Sequence, residues 1–225
     1  MAVLIHGGFW RARYDLRLED ELVADLGGRG WAGWNIEYRR LGWSGRGGWP
    51  ATFEDVAAAI DMLGRLEESL DLARVVAMGH SAGGQLAFWA AARRGLPAGA
   101  PGAEPRIRPA GVVAQAGVLD LREASRLGLS RRAAESLLGG SPMKWPARYD
   151  AASPIERLPL GLPQLVVHGD ADDVVPISIA RGYAERAVAA GDPCEFAELP
   201  GCGHMEHLDP SSDAWRTVTE WLERQ

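Results

Sequence analysis

Cysteine is scarce in this chain. Only Cys194 and Cys202 occur among 225 residues, too few for a disulfide scaffold, and both are expected to be free thiols of a cytoplasmic protein. Positive charge is in the minority. Against 30 Asp and Glu stand 24 Lys and Arg, a formal net charge of −6, which argues against the clustered positive field of a nucleic-acid partner. No apolar run reaches the roughly 18 residues that span a bilayer, so no membrane helix is expected. A basic stretch leading into a short apolar one is missing too, so no secretory leader is expected. What is present is an ordinary globular composition, 47% hydrophobic and 24% charged, in a chain long enough for one domain with a full core.

Apolar runs at 2–5, 31–38, 74–78, 111–116, 164–168 and 195–199 predict strands. Most are continuous in polarity, as expected where helices cover both faces of a parallel sheet. Helical stripes lie between them. Leu18, Leu22 and Leu26 recur every fourth residue and stop at Gly27-Gly28. Phe53, Val56, Ile60, Leu63 and Leu66 form a second stripe, with Thr52 as its expected N-cap and Asp55 three residues on. Trp215, Val218 and Leu222 mark a last helix starting near Ser211-Ser212. Such alternation predicts a doubly wound, three-layer α/β fold with right-handed crossovers. Residues 122–159 break the rhythm, with one expected helix at 131–138, and are expected to form a small lid-like or cap-like insertion; 95–109 is expected to be a surface loop.

Gly79-His80-Ser81-Ala82-Gly83 is a G-x-S-x-G match between a predicted strand and a predicted helix at 85–92. A strand that turns sharply into a helix forces its central residue into a strained geometry and exposes the side chain, and the flanking glycines remove atoms that would collide. A serine hydroxyl needs a base, and the base needs an orienting acid. Of five histidines, His6 and His168 sit at strand ends, where a ring bonds its local loop. His80 is confined within the turn. His204 follows the last strand in a glycine-containing loop and is the better base, with His207 expected on the solvent side. Asp170, Asp172 and Asp173 follow the 164–168 strand, and any one of them could supply the acid. The chain order Ser, Asp, His is that of a triad on an α/β-hydrolase sheet.

Together these segments resemble the α/β-hydrolase superfamily, within it the esterase/lipase and kynurenine-formamidase-like groups. His6-Gly7-Gly8-Phe9-Trp10 resembles their HGG-x-W oxyanion loop, and residues 79–84 resemble the nucleophile elbow. His168-Gly169, Asp172 and Val175-Pro176 resemble the HG-x-x-D-x-x-V-P acid segment; Gly203-His204 with Asp209-Pro210 resembles the histidine loop. The resemblance implies Ser81, Asp172 and His204 as catalytic residues. It also implies backbone N–H groups of Gly8, Phe9 and Ala82 as oxyanion donors. Tyr38-Arg39-Arg40-Leu41-Gly42 keeps only the start of the Tyr-Arg-Leu-Ala-Pro-Glu-like stretch of hormone-sensitive-lipase-like members. The family's first two strands have no counterpart. That implies six mainly parallel strands in the order 2-1-3-4-5-6, with the 31–38 strand at an edge to be shielded by a loop, a second copy of the chain or further sequence.

The implied activity is a carboxylesterase acting on short-chain or aryl esters, with no metal or organic cofactor and a small-molecule ester or amide as its partner. An arylformamidase of the same fold is the enzymatic alternative, motivated by HGG-x-W. A non-catalytic ligand-binding member is the alternative from another class. For the substrate pocket, Trp10, Trp43 and Trp49 in loops, His80 beside the serine, and Met143 and Trp145 in the insertion are the candidates.

Overall fold

A computed structural model describes residues 1–42, 46–66 and 70–225. Its six strands are β1 (Ala2–Ile5), β2 (Gly33–Ile36), β3 (Val76–His80), β4 (Gly111–Gln115), β5 (Gln164–Gly169) and β6 (Cys194–Leu199). They form one parallel sheet in the order β2-β1-β3-β4-β5-β6. The order expected from the sequence is the order found. The strand expected over 31–38 is shortened to Gly33–Ile36 and lies at the sheet edge.

Strand alternation divides the core. Ala2 and Leu4 of β1 face one side with Val76 and Met78, under α1 (Asp20–Gly28) and α8 (Asp213–Leu222), whose Leu22, Leu26, Trp215 and Val218 close that layer. The two helices are tied where Trp215 Nε1 donates to Asp25 Oδ2 at 2.7 Å. Val3, Ile5 and Ala77 face the other side, under α2 (Ala51–Asp61), α3 (Ala82–Ala92) and α7 (Ile177–Ala189). Helix α3 is apolar all round and buried along nearly its whole length, as a helix beneath a second layer must be.

Three local expectations change. Thr52 is not an N-cap: α2 begins at Ala51 after Pro50, and the Thr52 hydroxyl accepts from Gly48 N–H and donates to the Arg39 carbonyl. The same helix stops at Asp61, and Leu63 lies in a 3-10 turn beyond it. Residues 122–159 hold more helix than expected. Helices α4 (Leu121–Arg126), α5 (Leu129–Leu138) and α6 (Pro146–Ala152) pack together there. No helix among the described residues is long and apolar enough to cross a membrane.

Candidate active site

The sheet order reverses between β1 and β3, the crevice where α/β folds place ligands. The loops leaving the carboxyl ends of both strands meet there. Strand β3 passes into α3 through Ser81, held at φ 55°, ψ −116°, a region costing a non-glycine residue about 1–3 kcal/mol. Its neighbours show why the glycines are required: a Cβ on Gly83 would collide with the Ile5 carbonyl, and one on Gly79 with the backbone of Gly83. Ser81 N–H donates to the Gln115 carbonyl at 2.7 Å, fixing the turn to β4. The hydroxyl has no hydrogen-bond partner among the described residues.

From β1 the chain runs into His6-Gly7-Gly8-Phe9-Trp10. Gly7 packs directly on the serine turn, since a Cβ there would lie 2.8 Å from the His80 carbonyl. Gly8, Phe9 and Trp10 all have positive φ, at 102°, 49° and 58°. Gly8 and Phe9 on that left-handed path line the same cleft as Ser81. The N–H groups of Gly8, Phe9 and Ala82 donate to no acceptor among the described residues, and that of Ala82 opens α3, at the positive end of its dipole. The loop is braced from behind. His6 Nε2 lies 2.8 Å from Glu37 Oε1, its ring stacks on Tyr38 at 4.3 Å, and the Tyr38 hydroxyl donates to the His6 carbonyl.

The three aspartates after β5 separate by contact. Asp170 accepts from Gly201 N–H at 2.6 Å and holds the loop after β6. Asp173 is exposed. The Asp172 side chain is buried, with Oδ1 accepting from Val174 N–H and Val175 N–H at 2.8 and 2.9 Å. Its Oδ2 accepts from His204 Nδ1–H at 2.7 Å and lies 3.1 Å from His168 Nε2. Burial alone would raise the Asp172 pKa. The hydrogen bonds from His168, His204 and Val175 outweigh it and hold the carboxyl well below the usual carboxylate range. With Nδ1 committed to Asp172, His204 keeps its other nitrogen for the cleft.

His80 is fixed rather than free. Its Nε2–H donates to the His204 carbonyl at 2.9 Å, and burial, with the neighbouring His204 and His207, pushes its pKa down. His207 was expected on the solvent side but is fully buried, because Gln115 Nε2 holds its carbonyl and the rings of His80 and His168 flank it. Burial pushes its pKa down to about 3, and its side chain does not line the cleft that holds Ser81.

Ser81, His80 and His204 share a cleft of about 450 Å³ with Gly8 and Phe9. Four of the expected pocket residues lie elsewhere. Trp10 is fully buried, its Nε1 donating to Gln85 Oε1 at 3.0 Å, because positive φ turns the side chain down into the core. Trp49 packs on Phe53 of α2 at 5.2 Å. Met143 is 94% exposed and closes over nothing. Trp145 donates to the Gly139 carbonyl and carries Arg148 over its ring at 3.8 Å. Trp43 lies outside the described residues. In their place the cleft wall takes Arg11, Arg13 and Tyr14 from beyond the glycine loop, Ser130 and Arg131 from α5, and Met205 after the histidine. An arginine in a loop carries no periodic signal, so these were not legible. Among the described residues no three His, Cys, Asp or Glu side chains converge to hold a metal ion.

Comparison with known proteins bears on the fold and the family. The fold is similar to that of a truncated carbohydrate esterase from gut microbiota, with TM-score 0.81 and 24% identity over 99% of this chain and 84% of that one. It is similar also to the butyrate-bound esterase Est2 of Thermogutta terrifontis, with TM-score 0.77 and 25% identity over 99% and 81% of the two chains. Among curated relatives, the Mycobacterium tuberculosis protein named "Probable carboxylic ester hydrolase LipM" is 29% identical over 95% of this chain and 51% of its own length. The chain spans about half the length, or less, of the curated relatives it matches. The BD-FAE family model matches residues 1–186, most of the chain, and the chain therefore belongs to the BD-FAE family, of α/β-hydrolase type.

Proposed function

We propose that the chain is a carboxylesterase that cleaves short-chain carboxylic esters through Ser81, His204 and Asp172. The observation that carries the proposal is the part-buried Asp172–His204 hydrogen bond, with His204 sharing one cleft with a strained, unpartnered Ser81. Ser81 Oγ attacks the ester carbonyl, and His204 Nε2 accepts its proton. Ionised Asp172 keeps Nδ1 protonated and stabilises the imidazolium that forms. The proton then passes to the departing alcohol as the tetrahedral intermediate collapses to an acyl-serine. Water, deprotonated by the same histidine, releases the acid.

Negative charge on the intermediate falls to the N–H groups of Gly8, Phe9 and Ala82, which have no other acceptor among the described residues. Donors already aimed need no reorganisation, and each is worth about 3 kcal/mol of barrier. The absence of a Ser81–His204 hydrogen bond is no obstacle, since such bonds commonly tighten only with substrate bound.

A short acyl group suits a cleft of about 450 Å³ walled by Phe9, Leu18, Val174 and Met205. The butyrate bound to the similar Thermogutta terrifontis esterase supports the same length. A cytoplasmic location belongs to the same proposal, supported by free Cys194 and Cys202. The test is a panel of 4-nitrophenyl esters from acetyl to lauroyl, with N-formylkynurenine beside them. Hydrolysis peaking at acetyl to butyryl supports the proposal; turnover of the formamide alone contradicts it.

A further inference from the structure

Three arginines, Arg11, Arg13 and Arg131, line the cleft that holds Ser81, and no Asp or Glu among the described residues lines it with them. Nearby arginines are paired: Arg17 with Asp15 and Arg132 with Glu135, close in sequence, and Arg40, bonded to the Tyr14 carbonyl, with Glu37. The three in the cleft have no such partner among the described residues. Arg11 Nη2 donates to the Ser130 carbonyl at 2.7 Å, and Arg13 lies over the Tyr14 ring at 5.5 Å, so both are oriented without being neutralised. In a chain of net charge −6, this is a local positive field at the mouth of one site.

The backbone adds a second, independent observation. Ser130, Arg131 and Arg132 have φ of 43°, 55° and 59°, three consecutive non-glycine residues in the left-handed region. Each costs about 1 kcal/mol or more relative to a right-handed turn. Strain of this kind persists where the surroundings impose it and clusters at ligand sites. Here it turns Ser130 and Arg131 out of α5 and into the cleft wall opposite the glycine loop.

We propose that the ester taken by this cleft carries a second, anionic group, a carboxylate, which Arg13 and Arg131 bind while the scissile carbonyl lies at Ser81. The planar guanidinium fork matches a carboxylate in geometry as well as charge. The carboxylate sits either on the acyl side, as in a hemiester of a dicarboxylic acid, or on the alcohol side, as in an ester of a hydroxy acid. This inference rests on the esterase reading of the same cleft.

The test compares kcat/KM for two matched pairs. On the acyl side, 4-nitrophenyl hemisuccinate is set against its methyl ester. On the alcohol side, 4-acetoxybenzoate is set against methyl 4-acetoxybenzoate. The expected result is a preference of about tenfold or more for the anionic member of at least one pair at low ionic strength. Arg13→Gln and Arg131→Gln each reduce that ratio severalfold, and 0.5 M salt, at roughly a 4 Å screening length, reduces it in the unaltered protein. Ratios at or below one for both pairs overturn the inference, as does a preference that both variants leave intact. If neutral esters are hydrolysed through Ser81 without an anionic preference, this inference fails and the esterase reading stands. If no ester is turned over, calorimetric titration of the Ser81→Ala chain with 4-acetoxybenzoate and its methyl ester decides. A tenfold tighter anion keeps the carboxylate-binding site while the esterase reading fails, and equal affinities overturn the inference.

Discussion

Asp172 and His204 meet through one 2.7 Å hydrogen bond, Oδ2 to Nδ1, between loops 32 residues apart in sequence. The contact is dry on the acid's side and fixes one tautomer of the imidazole. Replacing Asp172 by Asn keeps the shape and loses the charge, so kcat should fall by about 10³–10⁴-fold. The same substitution has a pH signature. The folded pKa of Asp172 is lowered, so its stabilisation is present above the ordinary carboxylate range and lost as pH falls through the folded value. Thermal melts should show Asp172→Asn less stable than the parent at pH 7, with the gap narrowing below about pH 4.

Trp10 links the glycine loop to the core. Its indole donates to Gln85 Oε1, and Gln85 Nε2 donates on to the Ala152 carbonyl of α6. Trp10→Phe leaves the Gln85 oxygen unpaired in a buried site, costing about 2 kcal/mol of stability. It also loosens the amides of Gly8 and Phe9. Steady-state kinetics on 4-nitrophenyl butyrate should show kcat reduced about tenfold with KM little changed, because the lost contact is made in the transition state. Met143→Ala, at a fully solvated position, should change neither.

Much of this site was legible because its residues are forced by backbone geometry. Gly79 and Gly83 flank a turn where a Cβ has no room, so the serine between them stands out in the sequence. Continuous apolar runs marked the strands, while their order, and the choice of Asp172 among three aspartates, came from the family resemblance carried by segments such as His168-Gly169 and Val175-Pro176. The tryptophans were not legible. Their size says that they bury area, and whether they bury it in a cleft or a core depends on one φ angle, positive at Trp10. His207 misled for a related reason, since a polar residue in the loop after β6 can be enclosed by Gln115 and two other rings. Arg131 reaches the cleft only through a left-handed run that no propensity would favour.

Glu19 is a buried carboxyl that the proposed chemistry does not use. Burial pushes its pKa up from 4.5 to about 8, opposed by the backbone of His80. A carboxyl raised in the folded state is protonated there while the unfolded chain ionises, so stability declines as pH rises from about 4.5 toward 8. Glu19→Gln removes that dependence. Denaturant titration should find the variant close to the parent at pH 4.5 and more stable at pH 8, by at most about 5 kcal/mol.

Arg93 and Asp61 form a charge pair joining α3 to α2, 2.6 Å apart with the arginine almost fully buried. Asp61 also accepts from the N–H groups of Arg106 and Ile107, so the pair pins the loop before β4. Asp61→Ala leaves the guanidinium buried without its charge and should cost about 3–5 kcal/mol. Chemical denaturation with activity followed in parallel should show stability lost while the catalytic rate of the remaining folded protein holds.

The most direct measurement is labelling by a fluorophosphonate, followed by mass spectrometry of the modified peptide and assay on 4-nitrophenyl butyrate. The account predicts one adduct per chain, on Ser81, with hydrolysis lost in proportion to labelling and absent in Ser81→Ala. An adduct elsewhere, or a Ser81→Ala chain that still hydrolyses the ester at the parent rate, would contradict it.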